Sequence, residues 1–130
     1  MRVLALDYGS ARTGVAVSDP TGTIARPVGI VERAGSEAGL ARVAELVAAE
    51  GAERVVVGLP LTLRGERGEQ ARETERFVES LSRAVDVPVE TFDERFTTDL
   101  AQQTAGRAPE DAAAAAHLLS SYLAWSAAKA

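Results

Sequence analysis

The chain has 130 residues with no cysteine and one histidine, and 14 basic against 19 acidic residues give a net charge of −5. This length corresponds to one domain with its own core, and the lack of cysteine excludes disulfides, cysteine-ligated zinc and thiol catalysis. No run of about 18 apolar residues could span a membrane, and no signal peptide precedes the first apolar run. We therefore expect a cytoplasmic protein with no membrane segment.

The first third of the sequence predicts three strands. Met1–Asp7 is a nearly continuous apolar run, which is typical of a strand buried on both faces. Thr13–Asp19 predicts a second strand and Thr23–Glu32 a third, in which Pro27 favours an edge or bulged position. Because the connections between them are short turns, we expect an antiparallel meander.

The rest of the sequence alternates helices with strands. Apolar residues at helical spacing predict four helices. These helices cover Ser36–Glu50, Glu69–Ala84, Thr98–Ala105 and Pro109–Ala128. Two short apolar runs predict further strands, at Arg54–Leu59 and Pro88–Phe92. Alternation of this kind implies parallel pairing through right-handed crossovers. We expect an α/β fold in which a mixed five-stranded sheet, an antiparallel meander plus parallel strands, is flanked by helices.

Acidic residues at the ends of predicted elements are candidate metal ligands. Asp7 ends the first strand, Asp93 and Glu94 follow the fifth, and Asp111 lies in the first turn of the last helix. Carboxylate oxygens are the ligands that Mg²⁺ and Mn²⁺ prefer, and such sites carry out phosphoryl chemistry without histidine or cysteine. Each acid also has a structural interpretation, as a turn cap, a solvated loop charge or a partner of the helix dipole.

Three other features allow a functional and a structural interpretation. The turn over Asp7–Gly14 could hold a phosphate on its backbone N–H groups, or could simply need glycine for a hairpin. The loop over Leu61–Gly68 carries Arg64 and Arg67, which could contact a polyanion or only solvent. We expect His117 at the surface or the boundary of the core, since no acid and nucleophile accompany it.

Four segments in chain order resemble the YqgF family, also called RuvX, of Holliday junction resolvase-like proteins and pre-16S rRNA nucleases. They are Leu-Asp7-Tyr-Gly-Ser-Ala-Arg12-Thr-Gly-Val-Ala-Val-Ser-Asp19-Pro, Val57-Gly-Leu-Pro-Leu61, Asp93-Glu94-Arg95-Phe-Thr97-Thr98, and Asp111 with Ala114, Ala115, Leu119, Tyr122 and Leu123. The resemblance extends over essentially the whole chain. It implies that residues 1–130 form a single RNase H-like nuclease domain.

The resemblance implies a metal-dependent nuclease that hydrolyses RNA, processing the 5′ end of pre-16S rRNA in ribosome biogenesis. It implies that Asp7, Glu94 and Asp111 are the catalytic residues and the ligands of Mg²⁺ or Mn²⁺. The side chain of Asp93 is expected to point away from that of Glu94.

Several residues in loops are expected to contact the substrate, since the first, fourth and fifth strands end at one edge of the sheet. They are Arg12, Arg64, Arg67 and Arg95, together with Thr97 of the third resembling segment. The expected partners are nucleic acid, RNA in preference to DNA, and pre-ribosomal particles, and the expected state is a monomer or a homodimer.

Two other functions stay open at this point. One is a Holliday junction DNA resolvase, which needs a symmetric dimer to cut two strands. The other is a non-catalytic RNA-binding or ribosome-assembly module. The net negative charge favours the second. Members of the resembling family usually carry a basic run before the last helix, and the single Arg107 at this place predicts weaker affinity for nucleic acid.

Overall fold

The computed structural model describes residues 1–96 and 110–129, and a mixed sheet lies at its centre. Its strands are β1 (Val3–Asp7), β2 (Arg12–Ser18), β3 (Ala25–Glu32), β4 (Arg54–Leu59) and β5 (Val89–Asp93). Their order across the sheet is β3-β2-β1-β4-β5. The pairs β1–β2 and β2–β3 are antiparallel, whereas β1–β4 and β4–β5 are parallel. The predicted meander and the predicted parallel strands are therefore both confirmed.

Helices cover both faces of this sheet. They are α1 (Glu37–Ala49), α2 (Glu69–Ala84) and α3 (Glu110–Lys129), and a 3₁₀ turn over Glu94–Phe96 follows β5. Ser36 begins α1, as predicted, because its hydroxyl accepts a hydrogen bond from the Gly39 backbone N–H at 3.0 Å. The helix predicted over Thr98–Ala105 lies outside the described residues. None of the helices that are described is long and apolar enough to cross a bilayer.

The apolar run of β1 is explained by burial of both faces of the strand. Leu4 and Leu6 pack into a core with α1 and α2, where Phe77 and Leu81 meet them. Val3 and Ala5 point to the opposite face of the sheet, into a core formed with α3. Alternate side chains of a strand point to opposite faces, so two cores need an unbroken apolar sequence.

Small residues bring α3 close to the sheet. Ala5 and Ala16 on the strands face Ala115 and Ala116 on the helix, and all four are buried. The closest approach is at Gly14 of β2, where a Cβ atom would lie 1.7 Å from the Asp111 carbonyl oxygen. The alanine-rich composition of α3 thus follows from its contact with the sheet, and this contact places the first turn of α3 beside the end of β1.

The edge position predicted for the third strand is confirmed. β3 pairs only with β2 within the described residues, and the register between them shifts at Val15 and Ala16, opposite Gly29 and Pro27. Proline has no N–H to donate to a ladder, so an irregular edge strand accommodates it.

The surface or boundary position expected for His117 is wrong. His117 is buried, at 7% exposure, and Ser121 one turn later is buried to the same degree. The burial of α3 is wider than a single apolar stripe, since Ala116, Leu118 and Leu119 are buried as well. A helix packed this closely to a sheet covers side chains that its periodicity alone assigns to the surface.

We expect Gly14→Ala to destabilise the protein by about 1–3 kcal/mol, the usual cost of overpacking a closely packed contact. The added methyl group would force the first turn of α3 away from β2. Urea unfolding followed by circular dichroism measures the change. The matched control is Gly68→Ala, where the nearest atom to the added Cβ is 3.9 Å away, and its expected cost is below about 1 kcal/mol. Equal costs for the two variants would contradict the close contact.

Candidate metal centre

Two acidic side chains meet where the parallel strands end. Asp7 is the last residue of β1, and Glu94 follows β5 at the start of the 3₁₀ turn. Because β1, β4 and β5 run parallel, their carboxyl ends lie at one edge of the sheet, which is where open α/β sheets bind ligands. The side chains of Asp7 and Glu94 are hydrogen-bonded to each other. Two carboxyl groups can form such a bond only if one of them carries a proton.

Burial and mutual repulsion favour that shared proton. Burial raises the pKa of Glu94 from its ordinary value of 4.5 to about 7, and the charge of Asp7 adds to the effect. Burial also raises the pKa of Asp7, the hydrogen bond from Glu94 opposes the rise, and the charge of Asp111 adds to it. The pair therefore holds a proton at a pH at which isolated carboxyl groups have lost theirs.

A glycine on β4, the strand between β1 and β5, makes room for Glu94. A Cβ atom at Gly58 of β4 would lie 2.6 Å from Glu94 Oε1 and 3.0 Å from its Cγ. Any other residue at position 58 would therefore displace the carboxylate. The sequence motif around Gly58 has a physical explanation, since the strand between β1 and β5 must leave space for the acidic pair at its end.

Asp111 lies near this pair but faces a different partner. Its charge acts on Asp7, while its Oδ2 atom is 3.3 Å from Arg12 Nε. Within residues 1–96 and 110–129, no three metal-ligating side chains stand close enough together to enclose an ion as they are oriented. The structure thus brings Asp7 and Glu94 together and Asp111 to their vicinity, and a three-ligand site stays a prediction.

The chemistry of these donors suits a divalent cation. Asp7 and Glu94 are half-buried oxygen donors with one proton between them. A hard cation such as Mg²⁺ or Mn²⁺ could take the place of that proton and relieve the repulsion between the two carboxylates. The residues present therefore fit the metal that the sequence predicts.

Asp93 points away from the acidic pair and binds Arg95. Its carboxylate accepts hydrogen bonds from Arg95 Nη2 at 2.6 Å and from Arg95 Nε at 3.0 Å. These bonds hold the pKa of Asp93 below its ordinary value. This pairing agrees with the expectation that the side chain of Asp93 points away from that of Glu94. It also balances the charge of Arg95 with that of a neighbouring carboxylate.

The other predicted substrate contacts are distributed around the loop between β4 and α2. Arg64 is exposed, and Arg67 Nε lies 3.0 Å from Glu75 Oε2 of α2. Arg95 reaches the same loop by donating from Nη1 to the Leu63 carbonyl at 3.5 Å. Thr97 lies outside the described residues, as does Arg107.

Two interactions near the site did not emerge from the sequence. Tyr8 stacks on Phe77 of α2 with ring centroids 4.4 Å apart, and its hydroxyl donates to Glu73 at 3.3 Å. These contacts fasten the turn after Asp7 to α2. The other interaction is the Asp93–Arg95 pair. Its spacing of two residues was a usable signal, because an aspartate commonly accepts a hydrogen bond from the backbone N–H two positions later. Here the Arg95 backbone N–H donates to Asp93 Oδ1 at 2.9 Å.

Comparison with known proteins identifies a family and a fold. A family model described as "RuvX: Holliday junction resolvase" matches residues 1–125. A protein of Chloroflexus aurantiacus with the name "Putative pre-16S rRNA nuclease" is 50% identical over 101 residues, which are 78% of this chain and 66% of that protein. One of Syntrophomonas wolfei with the same name is 36% identical over 132 residues, covering 95% of this chain and 94% of its own length.

Among solved structures, Thermus thermophilus RuvC in complex with a Holliday junction substrate matches with a TM-score of 0.72 and 19% identity. The match covers 99% of this chain and 96% of RuvC. At this identity the likeness establishes the RNase H-like fold.

We expect the metal-free protein to lose stability as the pH rises between about 4.5 and 7. In that window folded Glu94 keeps a proton that the unfolded chain has released, so the free energy of unfolding falls with increasing pH. Urea unfolding with a chelator, near pH 5 and near pH 8, measures this loss. The loss should be smaller in Glu94→Gln, whose amide does not titrate, and unchanged in Glu79→Gln, which alters an exposed carboxylate on α2. The same pH dependence in all three proteins would contradict the shared proton.

Proposed function

The chain belongs to the RuvX family, and we propose that it is a metal-dependent nuclease that hydrolyses RNA and trims the 5′ end of pre-16S rRNA. The observation that carries the proposal is the hydrogen-bonded pair of Asp7 and Glu94 at the carboxyl edge of an RNase H-like sheet. A non-catalytic module would have no need to bury two repelling carboxylates beside each other. The names of the relatives from Chloroflexus and Syntrophomonas support pre-16S rRNA as the substrate.

The proposed catalytic residues are Asp7, Glu94 and Asp111, acting together as ligands of Mg²⁺ or Mn²⁺. Asp7 and Glu94 already touch, and Asp111 would complete the set by turning from Arg12 toward them. A divalent ion held by these residues would supply an activated water molecule and would stabilise the charge on the leaving 3′ oxygen. For this arrangement the Asp7–Glu94 pair must release its shared proton to solvent.

Arg12 is the proposed contact for the phosphate that is cleaved. Its guanidinium lies at the candidate metal centre and is well exposed. When Asp111 turns toward the other two acids, the guanidinium becomes available for a phosphate oxygen, to which arginine donates two parallel hydrogen bonds. Arg64 and Arg67 would contact phosphates farther along the strand.

The remaining proposals follow from this substrate. Pre-ribosomal particles would be the partner, the cytoplasm the place of action, and a monomer sufficient, because trimming one strand needs one active site. The alternative, a Holliday junction resolvase, draws support from the likeness of the fold to RuvC. It would require a dimer with two active sites to cut two strands.

A cleavage assay separates these functions. The substrates are an RNA that contains the 5′ extension of 16S rRNA and a four-way DNA junction, each incubated with Mg²⁺, with Mn²⁺ and with a chelator. We expect metal-dependent cleavage of the RNA. Cleavage of the junction alone would support the resolvase, and metal-supported binding without cleavage of either substrate would support a non-catalytic module.

Asp7→Asn should lower the rate of RNA cleavage by at least about a hundredfold, because metal catalysis supplies several kcal/mol of transition-state stabilisation. The amide keeps the shape of the side chain and removes the charge that a cation needs. The variant should fold as stably as the parent or more so, since it relieves repulsion between buried carboxylates. The control is Asp86→Asn, which makes the same chemical change in the connection before β5. Asp86 lies at the amino end of the parallel strands, away from the candidate metal centre, so this variant should keep full activity. A normal rate for Asp7→Asn in the presence of metal would rule out Asp7 as a ligand.

Arg64→Ala should weaken RNA binding and flatten its salt dependence. Each phosphate contact that is lost reduces the slope of log affinity against log salt by about 0.7 for a single strand. Arg67→Ala should have a smaller effect, because Glu75 already neutralises part of that charge. The control is Arg83→Ala, which removes an exposed cation paired with Glu79 at the far end of α2. An unchanged slope for Arg64→Ala would show that the loop is only a connection.

A further inference from the structure

A groove begins at Glu94 and runs between the β4–α2 loop and the start of α2. Its volume is about 440 Å³, which lies in the range of pockets that bind small organic groups. The residues that line it include Pro60, Leu61, Glu69, Gln70, Glu94 and Arg95. Because Glu94 belongs to both, the groove is continuous with the candidate metal centre.

The loop that forms one wall of this groove is held in place by several hydrogen bonds. Within the loop, the Gly65 N–H donates to the Thr62 carbonyl at 2.8 Å, and the Thr62 N–H donates to the Glu66 carbonyl at 3.0 Å. The ion pair of Arg67 with Glu75 fastens the loop to α2. The groove is therefore formed before any ligand enters.

The charges in the groove disfavour a phosphate as its occupant. Two of its lining residues, Glu69 and Glu94, are acidic. Among the described residues that line it, the one cation is Arg95, which is already bound through two nitrogens to Asp93. A phosphate would meet net repulsion here, whereas an uncharged group with N–H donors could bond to the carboxylates.

The shape and chemistry of the walls suit a nucleobase. Pro60 and Leu61 provide apolar surface, and Gln70 provides an amide that can donate and accept. The bonds to Asp93 hold the guanidinium of Arg95 in a fixed orientation at the groove. Proteins commonly stack unpaired bases on arginine guanidinium planes. Because the carboxylate of Asp93 balances its charge, Arg95 would interact with a ligand through the flat face of its guanidinium group and less through its charge.

We propose that this groove is a subsite for one unpaired nucleobase next to the phosphate that is cleaved, with the base lying against Arg95. The proposal rests on the proposed function, since the position of the cleaved phosphate follows from the metal centre. It also narrows the substrate class, because a base can enter the groove only after leaving its stack and its pair. The cleavage site would therefore be single-stranded or locally opened.

The test is a scan with abasic nucleotides. A short single-stranded RNA from the 5′ extension of 16S rRNA is prepared with one abasic residue at each position in turn, and its affinity is measured with Asp7→Asn protein to prevent cleavage. Omission of the base that fills the groove should weaken binding by about fivefold to a hundredfold, the range that stacking of one base is worth. The loss should occur at a position beside the cleaved bond.

The residue is tested by repeating the scan in variants of Arg95. In Arg95→Ala the abasic and intact RNAs should bind equally, because the two changes remove the same contact. Arg95→Lys, which keeps the charge without the plane, should behave in the same way, and Arg83→Ala should behave as the parent. Pairing the RNA with a complement should weaken binding, and one mismatch opposite the critical base should restore it.

Each outcome bears on one proposal. A scan without any critical position, or a critical position that persists in both Arg95 variants, would overturn the subsite while leaving metal-dependent cleavage intact. Loss of affinity on Arg95→Ala that is equal for every RNA and vanishes at high salt would show a phosphate contact instead, and would also overturn it. A critical base in a protein that binds RNA but never cleaves it would support the subsite and contradict the nuclease.

Discussion

The burial of two neighbouring carboxylates, Asp7 and Glu94, is the constraint on which this structure depends. Repulsion between their charges costs stability, and burial together with this repulsion raises the pKa of both side chains, so that protonation of one of them relieves the cost. The topology places them together, since β1 and β5 run parallel on either side of β4 and end at the same edge. Gly58 on the intervening strand supplies the space that the carboxylates occupy. Stability is thus given up at the position where charge is useful, as is common at functional sites.

The helix that carries Asp111 is positioned by contacts along its length. At its start, Gly14 allows the Asp111 backbone to approach β2. Farther along, the Tyr122 hydroxyl donates to Glu90 of β5 and accepts from Arg54 of β4 at 3.2 Å. The alanines between these contacts keep helix and sheet close. The distance of Asp111 from the acidic pair is consequently set by packing on β2, β4 and β5 and not by one local bond.

Sequence patterns predicted most of the fold because local signals and the global topology agree. The apolar run of β1, the proline of β3 and the serine that begins α1 each have a physical meaning that holds without knowledge of the neighbours. Asp7 and Glu94 could be paired in advance because both follow strands that end at one edge. Asp111 could not, since an acid in the first turn of a helix is ordinary, and only the resemblance to a family singled it out. The burial of His117 depends on how closely α3 packs on the sheet, which periodicity does not encode. The pairing of Arg95 with Asp93 is instead a local contact, which the spacing of two residues could have indicated.

The separation of the acids along the chain affects when the site can form. Asp7 and Glu94 can meet only after β5 has joined the sheet, and Asp111 reaches their vicinity only after α3 has docked on it. During synthesis, a nascent chain therefore holds no complete acidic cluster until residue 111 has left the ribosome.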